Sequence, residues 1–142
     1  MLIDLCNLSN GMGKIFIREI MKTATHMSCN KGHILFKKGE PTHHFYTLIQ
    51  GEFLLTIGTD RQHVYTVCHP GDIFGWSSLV GRSTYSATAI STKCSDVFRF
   101  DRDVLTNLLE KYPDNGFLFF KKLAELLGKR LLESYLIIQG DK

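Results

Sequence analysis

No stretch of this 142-residue chain is apolar for long enough to cross a bilayer. The longest runs, Phe117 to Phe120 and Tyr135 to Ile138, fall far short of the roughly 20 residues a membrane helix needs. Met1 to Gly13 has no basic run followed by an apolar block, so no secretory leader is expected. Cysteine is sparse: Cys6, Cys29, Cys68 and Cys94 stand 23, 39 and 26 residues apart. Without C-x-x-C spacing, neither a zinc knuckle nor a redox motif is indicated. Scattered cysteines behind no leader predict a cytoplasmic protein. The sequence also lacks a G-x-S-x-G elbow, a phosphate-binding P-loop and H-E-x-x-H. Ser77, Ser78 and Cys68 have no companion base at a recognisable spacing, so the expectation is a protein that is not an enzyme. Internal repeats and low-complexity segments are missing as well.

Charge is nearly balanced. Seventeen basic and fourteen acidic residues give +3. The basic residues come in pairs (Lys37 with Lys38, Lys121 with Lys122, Lys129 with Arg130) that read as solvated faces. A nucleic-acid surface would show a clustered stripe. No helix-turn-helix pattern occurs, so no DNA-binding module is expected in this chain.

What the sequence does contain falls into three zones. Residues 1–13 have no clear period and read as an N-terminal tail. Apolar residues at 15, 16, 17, 20 and 21 then predict a short amphipathic helix. From Gly32 to Phe100 the pattern becomes short β-like runs with glycine at the corners. These runs are His33–Phe36, Phe45–Ile49, Glu52–Ile57, His63–Val67, Tyr85–Ile90 and Val97–Phe100. Strands so short and so closely spaced predict a sandwich or roll, with no room for crossover helices. Gly39, Gly51 and Gly71 fall where strands must reverse.

Beyond Phe100 the period lengthens. Asp101 is placed to cap a helix over about 102–111, which Pro113 ends. A longer helix is predicted over 114–138, with Gly140 beyond its end. Along it Phe120, Ala124, Leu127, Leu131, Ser134 and Ile138 step by 4, 3, 4, 3 and 4, a heptad-like seam interrupted by Ser134. Phe119, Leu123 and Leu126 form a second apolar set. One helix with two apolar faces is expected to pack on its own domain and on a second copy, giving a homodimer. The other arrangement is one broad face buried within a monomer.

Three blocks carry a resemblance to a known family: residues Lys31 to Glu40, Phe45 to Phe53, and Pro70 to Gly75 running on through Ser78 and Leu79. In order and spacing they resemble the cyclic-nucleotide-binding domain of catabolite-activator-type regulators, kinase regulatory subunits and gated channels. The resemblance covers about residues 14–138. It implies a mainly β domain, a double-stranded β-helix or jelly-roll-like β-roll, with an N-terminal helix and two C-terminal helices. It also implies a small-molecule effector and a protein output partner. In the family, the stretch matching Phe74, Gly75, Trp76, Ser77, Ser78 and Leu79 forms a cassette around the ligand phosphate.

This sequence departs from the family's pattern at two charged positions. After Phe-Gly the nucleotide-binding members carry a Glu that accepts the ribose hydroxyl, and here stands Trp76. Nine positions on they carry an Arg that pairs with the phosphate, and here stands Tyr85, followed by a matching Ser86 and Ala87. Arg82 lies three residues earlier; a shortened loop would bring it to the phosphate, at the expense of the match at Ser86 and Ala87. No cofactor is certain: a cyclic nucleotide, bound weakly or in altered form, or another small anion is the expected ligand.

Two further readings stand beside this one. A ligand-free dimerisation or protein-interaction module would keep the fold and abandon the pocket. A cupin-like metal enzyme would recruit His33, His43, His44, His63 or His69 with Glu52. Against the latter, His43 and His44 are adjacent and in a strand would face opposite sides.

Overall fold

The structure, a computed structural model, describes residues 13–58 and 62–140, apart from the side chains of 62–64 and 137–140. The element order is α1 (Lys14–Lys22), β1 (Thr25–Cys29), β2 (Ile34–Phe36), β3 (His44–Gln50), β4 (Phe53–Ile57), β5 (Gln62–Val67), β6 (Ile73–Phe74), β7 (Thr88–Ser91), β8 (Ser95–Asp101), α2 (Arg102–Lys111) and α3 (Pro113–Gly140). A single 3-10 turn, Trp76–Leu79, lies between β6 and β7. The predicted tail is outside the described residues except for Gly13.

Among the described residues, eight strands make two antiparallel four-stranded sheets, ordered β1-β8-β3-β6 and β2-β7-β4-β5. The roll architecture expected from the glycine-punctuated strands is therefore present, with helices at both ends. Three strand assignments differ from the sequence reading, one of them the short β6, which was read only as part of the cassette. β1 was not anticipated: only Met27 and Cys29 mark it as apolar, and it is held by pairing with β8 from Thr25↔Arg99 to Cys29↔Ser95. The run predicted from Tyr85 enters a sheet only at Thr88, because Tyr85 is drawn into the core before the strand begins.

β3 is buried on both faces and divides the core in two. Successive side chains alternate, so Phe45 points at the helices and Tyr46 into the roll. On the helical side Phe45, Ile73 and Phe100 meet Phe16, Ile17 and Ile20 of α1, Leu105 and Leu109 of α2, and Phe119 and Leu123 of α3. Inside the roll lies an aromatic stack. Phe36 lies flat on Tyr85 with centroids 4.1 Å apart, Tyr46 stacks on Phe74 at 5.5 Å, and Phe53 meets Phe74 at 5.1 Å.

α2 begins as the sequence indicates, and α3 begins at Pro113, one residue before the predicted start. The Asp101 carboxylate accepts the Val104 N–H at 3.0 Å and caps α2. Pro113 opens α3 at its first helical position, where no N–H is required. Gly116 lets α3 approach α2 closely, since a Cβ there would lie 2.5 Å from the Leu109 carbonyl oxygen. α3 runs on through Gly140, two residues further than predicted.

Candidate functional site

The cassette is built from the core outward. Ile73 and Phe74 of β6 are fully buried, and the chain then turns at Gly75 with φ 75°. A side chain there would be strained and crowded: a Cβ would lie 3.1 Å from the Tyr46 ring and 3.2 Å from the His44 carbonyl oxygen. The 3-10 turn that follows is tied internally. The Ser78 hydroxyl donates to the Gly75 carbonyl at 2.9 Å, and the Ser77 and Ser86 hydroxyl oxygens lie 3.4 Å apart. The Arg82 N–H returns to the Ser77 carbonyl at 3.3 Å.

A cavity of about 350 Å³ opens between this cassette, the β4–β5 hairpin and α3. Trp76, Ser86 and Ala87 line it from the cassette side, Leu55 and Tyr65 from the hairpin. α3 closes it with Leu127, Arg130, Leu131 and Ser134. The volume is that of a small-molecule site, and the mix of apolar walls with few polar groups is typical of one.

The structure brings together only part of the predicted set. Trp76, Ser86 and Ala87 share the cavity. Phe74 and Gly75 lie beneath it in the core, Ser77 and Ser78 are buried in the loop, and Leu79 packs toward the helical core. Arg82 is exposed, and its side chain is not among the lining groups. Tyr85 is 5% exposed and turned away from the cavity. Its hydroxyl donates to the His44 carbonyl at 2.7 Å and accepts the His44 N–H at 3.2 Å. Burial pushes the phenol's pKa up, so it stays a neutral pin across the roll. Removing the pin should be costly: Tyr85→Phe is expected to lose roughly 1–3 kcal/mol in urea unfolding, with the cavity's own groups unchanged.

The sequence reading missed Leu55, Tyr65 and, most consequentially, Arg130 as cavity-lining residues. Paired with Lys129 on a helix, Arg130 read as solvated. Its guanidinium instead lies over the Tyr65 ring at 4.1 Å, and Nη2 donates to the Ile73 carbonyl at 2.9 Å. Only the knowledge that α3 folds back over β5 and β6 would have pointed to it.

On the seam, Phe120 is 39% and Leu131 52% exposed, Ala124 is exposed and Leu127 half-buried. The side chain of Ile138 lies outside the described ones. The second apolar set is inward: Phe119 and Leu123 are buried and Leu126 packs against them. Among the described residues no group of three or more His, Cys, Asp or Glu converges to hold a metal. None of the described helices is long and apolar enough to cross a membrane.

This architecture can be placed among known proteins. A family model described as the cyclic nucleotide-binding domain matches residues 26–112, more than half of the chain. Among curated relatives, the CRP-like cAMP-activated global transcriptional regulator of Mycobacterium tuberculosis is 33% identical over 107 residues. That match covers 71% of this chain and 44% of the relative. The cyclic nucleotide-gated channel beta-3 of the dog, Canis lupus familiaris, is 31% identical over 102 residues, which is 70% of this chain and 13% of the channel. The chain thus spans less than half the length of either. Among solved structures, a putative cyclic nucleotide-binding protein from Geobacter metallireducens superposes with a TM-score of 0.81 at 22% identity. The superposition covers 92% of this chain and 96% of that one. The sensor domain of the transcriptional regulator DNR from Pseudomonas aeruginosa does so at 0.73 and 22% identity, covering 93% and 92%. From the Phe-Gly cassette to the helix that closes the cavity, and from the match over residues 26–112, the chain belongs to the cyclic nucleotide-binding domain family.

Proposed function

We infer that residues 14–138 form a regulatory, ligand-sensing domain that is not an enzyme and acts in the cytoplasm. Its cavity holds cyclic AMP and cyclic GMP weakly or not at all. The observation that carries this reading is Tyr85. The residue at the family's arginine position is a buried phenol pinned to His44, and Trp76 replaces the acidic partner of the ribose. Arg82, the nearest cation in sequence, is exposed away from the cavity. An effector bound there would touch the cassette and α3 together, so its arrival would be felt by whatever α3 meets. The exposed seam of Phe120, Ala124 and Leu131 supports a second copy of the chain as that neighbour, with an output protein beyond it.

Thermal unfolding tests the nucleotide part. A ligand at 1,000 times its dissociation constant stabilises by about 4.1 kcal/mol, which for a domain this size raises Tm by roughly 10 °C. Cyclic AMP at millimolar concentration is expected to move Tm by no more than about 1 °C. A shift near the larger figure would overturn the reading. A ligand-free interaction module is the second reading, and the open cavity counts against it.

A further inference from the structure

The cavity contains a charge with no counter-charge. Arg130 reaches in from α3 with its Nη2 on the Ile73 carbonyl, its plane on Tyr65, and its Nε buried with no hydrogen-bond partner. Among the described residues no carboxylate makes an ion pair with it. A guanidinium held half out of water with an orphaned N–H is costly unless something anionic completes it. The rest of the wall has the opposite character: Trp76, Tyr65, Leu55 and Leu127 supply apolar and aromatic surface, and Arg130 is the single cation among the lining residues.

We propose that the cavity binds a small organic carboxylate with a flat apolar body, its single carboxylate paired with Arg130. The proposal rests on the sensing role inferred above and names the ligand class of that site. A planar acid can take two parallel hydrogen bonds from a guanidinium, while its body lies between Trp76 and Leu127. The charge is thereby read from α3 and not from the cassette. That reverses the arrangement implied by the family's arginine, and it follows from Tyr85 having left the cavity for the core. A dianion would bring a second negative charge with no second cation to meet it.

Calorimetry with trans-cinnamate and its neutral amide, trans-cinnamamide, tests the assignment on wild type, Arg130→Met and Arg130→Lys. Wild type is expected to prefer the acid by ~10–100-fold, the value of one charge-assisted pair. Arg130→Met should bring that ratio close to one, whatever it does to the affinity for the amide, and Arg130→Lys should fall between. A thermal melt of each variant confirms that the fold persists. Equal binding of acid and amide by wild type would overturn the role of Arg130 and leave the cavity a sensing site. An acid preference kept in Arg130→Met would place the anion partner elsewhere and overturn it too. No binding of either probe, with cyclic AMP binding tightly, would refute both this assignment and the reading on which it rests.

Discussion

Gly51→Ala is expected to destabilise the protein by roughly 2–5 kcal/mol, a large part of the 5–15 kcal/mol typical of a whole domain. Two effects coincide at this residue. Its φ of 105° lies outside the region open to side chains. A Cβ would also collide with the Ser95 hydroxyl and lie 2.6 Å from the Ser95 Cα, so the neighbour cannot yield by rotating. Ser95 is itself fixed, since its hydroxyl accepts the Glu52 N–H at 3.0 Å and donates to the Lys93 carbonyl at 2.8 Å. The β3–β4 turn and the start of β8 are thus locked together through one residue that must lack a side chain. Gly39→Ala supplies the comparison. Gly39 has a similar φ of 91° with nothing within 4 Å of its would-be Cβ, so only the backbone term of about 1–2 kcal/mol should remain. Urea unfolding of the two variants reads the difference, and equal losses would show that the contact with Ser95 relaxes freely.

The double variant Phe120→Lys with Leu131→Lys is expected to convert a dimer into a monomer in sedimentation velocity. α3 divides its apolar residues between two faces. Phe119 and Leu123 are each 2% exposed in the helical core, whereas Phe120 and Leu131 face outward beside exposed Ala124. A heptad-like seam left wet by its own domain is the kind of surface that pairs with a copy of itself. The substitutions avoid Leu127, because it is half-buried and lines the cavity, and a charge there would disturb ligand and dimer together. Leu131 borders the cavity as well, so Phe120→Lys alone is the cleaner partial test. Wild-type protein already monomeric at roughly tens of micromolar, a level chosen for modest affinities, would mean the seam serves no self-association.

Much of this architecture was legible in the residues. Glycine corners and short apolar runs indicated the roll, and Asp101 and Pro113 marked the helix boundaries, because caps and turns are local chemistry that the sequence states directly. The gaps have a common physical cause. β1 carries little apolar signal of its own and is stabilised by β8, a partner some seventy residues away in the chain (Thr25 pairs with Arg99). Tyr85, placed in the pocket by counting nine positions from Trp76, is claimed instead by Phe36 and the His44 backbone, groups far away in sequence. Arg130 was read as a solvated charge because nothing local indicates that Tyr65 lies beneath it. Each gap depends on a long-range neighbour. The cassette itself was recognisable, but which of its residues face the cavity was decided by packing.

Calorimetric titration of wild-type protein and Arg82→Ala with cyclic AMP tests the central claim most directly. The missing phosphate and ribose partners are each worth about 1.5–3 kcal/mol, so together they should lower affinity by roughly two to four decades. Wild type and Arg82→Ala are therefore expected to behave alike, with no binding at micromolar concentrations. Low-micromolar binding by the wild type that disappears in Arg82→Ala would contradict the account, because it would put Arg82 on the phosphate and the cavity back among the nucleotide sites.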